Sequence, residues 1–145
     1  MRSRQILVVE DEKDICVTLE ILIERLGHEP HCVSDSAEAL DKLIQTHIEG
    51  SPMDLLLYDI QIPGMTGANL IETMRRINIA TPALVITGFN DKALVERLVH
   101  LGCSDFIEKP FTPDDVEQSV KRLVNEIDSI EEKKRRMEFR NASAR

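Results

Sequence analysis

Five short apolar runs, each giving way to a stretch with helical periodicity, decide what this chain can fold into. The runs are Gln5–Val9 (QILVV), a weaker Pro30–Val33, Met53–Tyr58 (MDLLLY), Ala83–Thr87 (ALVIT) and the short Asp105–Glu108. After the first, Ile15, Leu19, Leu22, Ile23 and Leu26 recur at the spacing of a helix with one buried face, and Gly27 is placed to end it. Ser34 to Ser36 read as a turn and N-cap, and Ala37, Leu40, Leu43, Ile44 and Ile48 give a second stripe, closed by Gly50-Ser51-Pro52. A third helix is predicted over about 68–77, a fourth over about 91–101 ending at Gly102, and a last one from near Pro113, where proline suits the first helical turn.

Strands that alternate with helices and read apolar on both faces predict a parallel sheet covered on each side. Right-handed crossovers leave few topologies. The template adopted is α/β and flavodoxin-like: a (βα)5 doubly wound parallel sheet of strand order 2-1-3-4-5 with an extended C-terminal helix. At 145 residues there is room for one full core. The expected division is a folded body over 1–127 and a helical extension over 128–145, possessing coiled-coil features and a frayed end. No apolar run approaches the roughly 20 residues of a membrane span. The N-terminus leads into a run too short for a secretion signal, so a cytoplasmic location is expected. Three scattered cysteines, Cys16, Cys32 and Cys103, lack a CxxC pair and argue against a disulfide framework or a zinc site. Residues 131–145 carry +3 of a total of −8, which leaves −11 on residues 1–130. A body so acidic, with one Tyr, four Phe and no Trp, suits a cation better than nucleic acid.

In a doubly wound sheet, ligands sit outside the carboxyl ends of the strands, where strand order reverses. Glu10-Asp11 end the first strand, Asp59 the third, Thr87 the fourth and Lys109 follows the fifth. Each has a plain structural alternative. Glu10, Asp11, Glu12 and Asp14 suit the start of a helix, Asp59 a turn before Pro63-Gly64, Thr87-Gly88 a strand-to-loop junction and Lys109-Pro110 a solvated turn. Together they describe an oxygen-only cation site beside a nucleophile, with three carboxylates expected to converge within a few ångström. Oxygen ligands without His or Cys favour Mg²⁺, or Mn²⁺, over zinc or copper. Asp59 is then a candidate for covalent catalysis through its carboxylate, with the cation, Lys109 and Thr87 meeting a transferred phosphoryl group.

With these residues in place, the chain resembles the receiver domain of the two-component response-regulator family over about residues 4–127. The matching segments are VVEDE at 8–12, DIQIPGMTG at 59–67, ITG at 86–88 and EKPF at 108–111. The resemblance implies that Asp59 accepts a phosphoryl group from a sensor histidine kinase or phosphotransfer protein. It implies Mg²⁺ held by Asp11, Asp59 and the backbone carbonyl of Gln61, with Glu10 helping through a water. Thr87 and Lys109 would contact the phosphoryl group, and Phe106, otherwise an ordinary core residue, matches the family's switch aromatic. Two departures are minor: Glu10 stands where Asp is frequent, and Ile62 replaces a frequent Met. Phe89, bulky beside the attacking water's position, is expected to lengthen the acyl-phosphate lifetime. Such a module signals through a downstream output domain or partner and is not a turnover enzyme, although it assists its own phosphorylation and dephosphorylation.

The apolar series Val116, Val120, Leu123, Ile127 and Ile130 continues through Lys134 to Met137 with spacings of four and three. An a/d pattern of that length points to pairing with a second copy of the chain, and an amphipathic fifth helix with a charged tail is the alternative. Other functions remain as alternatives. A phosphate-independent interaction module is opposed by the intact set Glu10, Asp11, Asp59, Thr87 and Lys109. An aspartyl-phosphate phosphatase would want an acid where Gln61 stands, and a flavin site would want Gly, Ser and Thr after the first strand.

Overall fold

The computed structural model describes residues 2–60, 67–88 and 92–143. Strands and helices alternate: β1 (Gln5–Val9), α1 (Lys13–Arg25), β2 (Glu29–Val33), α2 (Ser36–Ile48), β3 (Leu55–Asp59), α3 (Gly67–Arg76), β4 (Ala83–Thr87), α4 (Lys92–His100), β5 (Asp105–Glu108) and α5 (Pro113–Ser143). The five strands pair in parallel in the order β2-β1-β3-β4-β5, as the template required.

Strand periodicity divides the core into two layers. Ile6, Val8, Leu55, Leu57, Leu84 and Ile86 point to the face covered by α1 and α5, where Leu19, Ile23, Val116, Val120 and Leu123 meet them. Leu7, Val9, Leu56, Tyr58, Ala83 and Val85 point to the opposite face, against Ala39, Leu43, Ile71, Met74 and Leu98. Successive side chains of each strand thus alternate between two dry interfaces, which is why these strands read as unbroken apolar runs.

The helix ends follow the local chemistry. Gly27 adopts φ +88° after α1, a left-handed conformation that costs a residue without Cβ little. Asp35 caps α2, its carboxylate accepting from the Glu38 N–H at 2.8 Å, while the Ser36 hydroxyl shares a 2.7 Å hydrogen bond with the Tyr58 hydroxyl. The edge strand β2 begins at Glu29, one residue before the predicted start. Edge position lets it keep Pro30, which has no N–H to give to a ladder.

The structure corrects the reading of the cysteines. Cys16 in α1 and Cys32 in β2 are joined by a disulfide, with Cα atoms 6.6 Å apart. The two stand 16 positions apart in the chain, so no short spacing announces them; they meet because α1 packs back against β2. Cys103 is a free, half-buried thiol that burial pushes up to about 12. α5 runs unbroken to Ser143, so its 31 residues extend about 46 Å at 1.5 Å per residue.

Candidate functional site

Parallel pairing and matched register bring the carboxyl ends of β1, β3, β4 and β5 to one rim. Val9 pairs with Tyr58, Asp59 with Ile86 and Thr87 with Glu108. Asp59 is therefore the last residue of a strand flanked on both sides, and it is only 3% exposed. The Lys109 ammonium donates to its Oδ2 at 2.6 Å. Lys109 is itself placed from the backbone, its N–H donating to the Thr87 carbonyl at 2.8 Å, and a cis Lys109–Pro110 bond follows it. Burial works against the charged ammonium, but the hydrogen bond and charge of Asp59, with Glu10 and Glu12 beyond, outweigh it and raise the lysine above its ordinary range.

Glu10 is equally buried at 3%. Its N–H donates to the Val33 carbonyl, and its Oε1 accepts from the Glu12 N–H at 3.1 Å, so the acidic turn is folded back on itself before α1 begins. Its Oε2 is buried, and no described residue aims a donor at it. Desolvation, together with the neighbouring Asp59 carboxyl, holds Glu10 up at about 7 against the lowering effect of the Glu12 N–H. A buried acid of this kind is costly without a compensating cation, and an orphaned carboxylate oxygen beside a second buried carboxylate fits a hard divalent ion.

Glu10 and Asp59 are buried together near the Lys109 charge, while Asp11, the next residue of the acidic turn, is exposed.

Thr87 is buried at the end of β4, one residue beyond the partner of Asp59. Phe106 pairs with Val85 on β5 and is half-buried against the α3–α4 side of the core. Gln61 and Phe89 lie outside the described residues. Beside the rim, a groove of about 740 Å³ opens between α1 and α5, with Glu12 and Asp14 at its edge and Ile15, Phe111 and Val116 along its apolar walls. No described helix is long and apolar enough to cross a membrane.

Two site features escaped the sequence reading. Arg4 binds α5 to the far end of the sheet, and the disulfide backs the acidic turn. The proximity of Arg4 to the first strand's start was the only signal for the former; for the latter there was a cysteine at the edge of the α1 stripe.

A doubly wound parallel sheet with a buried aspartate at its switch point, flanked by acid, hydroxyl and lysine, defines a class of flavodoxin-like signalling module. The sequence pattern of the family described as "Response regulator receiver domain" matches residues 6–121, and the chain belongs to that family. It carries a receiver domain of two-component response regulators. The transcriptional regulatory protein CrdR of Helicobacter pylori is 33% identical over 89% of this chain and 58% of its own length. The sporulation initiation phosphotransferase F of Bacillus subtilis is 25% identical over 86% of this chain and 96% of its own. A CheY-like receiver domain protein from Methanospirillum hungatei superposes with a TM-score of 0.78 at 25% identity, over 88% of this chain and 98% of that structure. The chain spans about half the length of transcriptional regulators it matches, CrdR at 58% and PhoP of Bacillus subtilis at 49%.

Proposed function

We propose that this chain is a phosphorylation-controlled switch that takes a phosphoryl group on Asp59. One observation carries the reading: a strand-end aspartate, almost wholly buried, bonded to Lys109 at 2.6 Å beside the orphaned oxygen of Glu10. The donor would be a phosphohistidine of a sensor kinase or phosphotransfer protein. A carboxylate oxygen of Asp59 attacks phosphorus, the P–N bond breaks as the O–P bond forms, and the bonding pair leaves on an imidazole nitrogen, the ring departing neutral when its other nitrogen is protonated.

Asp11, Asp59 and the Gln61 carbonyl would hold Mg²⁺, with Glu10 acting through a water. The ion supplies charge neutralisation between the two carboxylates and the incoming phosphoryl oxygens. Lys109 trades its Asp59 contact for a phosphoryl oxygen, and the Thr87 hydroxyl donates to another. Movement of Thr87 toward that oxygen frees space for Phe106 to turn inward, which alters the face made by α4, β5 and α5. In this reading residues 1–127 form the switch, residues 128–145 carry its state onward, and an output domain or partner protein receives it. Pairing of α5 with a second copy belongs to the same proposal.

Intact-protein mass after incubation with acetyl phosphate and Mg²⁺ tests the central step. A single phosphoryl adduct is expected, absent from Asp59→Asn and from a chelator-treated sample. An adduct that persists in Asp59→Asn, or none in the wild type, would overturn the assignment.

A further inference from the structure

The Cys16–Cys32 disulfide lies directly behind the acidic turn. The Cys16 N–H donates to the Glu12 carbonyl at 2.9 Å, and Val33, next to Cys32, accepts the Glu10 N–H at 3.0 Å. Both backbone anchors of residues 10–12 are therefore adjacent to a cysteine, and the S–S bond closes them into one ring. The Cys16 sulfur also lies 3.2 Å from a Glu20 carboxylate oxygen, one turn along α1, an oxygen placed to accept from the thiol once the pair is reduced. The Cα separation of 6.6 Å falls within the range of about 4.4–6.8 Å that a disulfide spans without moving the backbone.

We propose that Cys16 and Cys32 are a site of reversible thiol–disulfide exchange, oxidised by small-molecule disulfides of the glutathione class, whose closure stiffens the acidic turn from behind. One protein thiolate attacks the small disulfide and expels the first small thiol. The second protein thiolate then attacks the mixed disulfide and expels the other. Two protein S–H bonds and one small S–S bond become one protein S–S bond and two small S–H bonds; the protein pair loses two electrons and the reagent gains them, and the protons follow the expelled thiolates. Cys103 takes no part, since burial keeps it protonated.

The test needs no phosphate and so stands apart from the function proposed above. The reduced full chain is incubated with oxidised glutathione, and its thiols are counted after denaturation alongside intact mass. The expected result is loss of two of the three thiols and of two hydrogens in mass, reversed by excess reduced glutathione. The same loss is absent from Cys16→Ser and Cys32→Ser. Amide exchange at Glu10 and Cys16 should slow roughly tenfold on oxidation, because opening the turn then requires moving α1 and β2 together. Three persisting thiols, a retained glutathione adduct or a covalent dimer would each overturn the proposal. So would retention of stoichiometric zinc by the reduced wild type, which would make Cys16, Glu20 and Cys32 a cation clip instead, since their ligand atoms lie within 4.8 Å of one another.

Discussion

Arg4 is 1% exposed, yet its guanidinium meets three carboxylates. Nη1 and Nη2 grip Glu131 at 2.9 and 2.8 Å, Nη2 also reaches Asp128, and Nη1 reaches Asp54 at 3.3 Å. One side chain therefore ties the start of β1 to the loop before β3 and to α5, with only Nε left unpartnered. Removing a buried partner strands the others, but Asp128 and Glu131 are over a third exposed and can rehydrate. Arg4→Ala should then cost about 3 kcal/mol, the lower end for a broken buried pair, read as a fall in the urea midpoint. The backbone of Arg4 adds a proton-sensitive contact, its N–H donating to His28 Nδ1 at 3.0 Å. Burial, with the Arg4 charge, lowers His28 below the ordinary imidazole range despite Asp128 and Asp54. The folded state thus binds the His28 proton less readily than the unfolded chain. Stability from this residue is present above the unfolded value of about 6.5 and is lost as pH falls below it. Urea midpoints at pH 7 and pH 5 should differ less in His28→Asn than in the wild type; equal differences would remove His28 as the cause.

At the scale of the element, α5 shows where periodicity is informative and where it misleads. The stripe Val116, Val120, Leu123, Ile127, Ile130 reads as continuous, but its first three members are buried in the body's own core. Of that series Ile130 and Met137 are left exposed, at 54% and 63%, with Lys134 between them, and Phe139, off the stripe, is also exposed. A heptad pattern cannot distinguish the two uses, because a helix on a sheet and a helix on its twin both want one apolar face. A second copy pairing there would bury only the segment beyond Ile127, short for a stable coiled coil, so the association should be concentration-dependent. Sedimentation over a range of concentrations should show a monomer–dimer equilibrium that Ile130→Asp abolishes without lowering the melting temperature; a strict monomer at every concentration would sink the pairing. The element most weakly written in the sequence was β2. As an edge strand it is paired on one side only, and its half-exposed EPHCV lacks the apolar continuity that marked β3 and β4.

For the molecule as a whole, the fold and the rim were readable because both depend on strand ends. An apolar run that stops at Glu10, Asp59 or Thr87 states where the sheet ends, and parallel order puts those ends side by side. What could not be read was how the side chains divide the rim: Lys109 takes Asp59, Glu10 is caught in its own turn, and Asp11 stays exposed. That outcome sets a thermodynamic condition. Glu10 and Asp59 are held buried in a body carrying −11, with Lys109 as the cation bonded to Asp59, so the fold bears an electrostatic cost that a bound divalent ion relieves. An ion that binds only the folded state stabilises it by about 2.7 kcal/mol at a hundred times its dissociation constant. For a domain of this size that is a rise of roughly 5–10 °C in melting temperature. Magnesium at constant ionic strength should produce that rise in the wild type, and Asp59→Asn should flatten it by removing one ligand. An equal rise in both would mean that the ion acts on the acidic surface at large, and the buried pair would then be a structural feature of the fold.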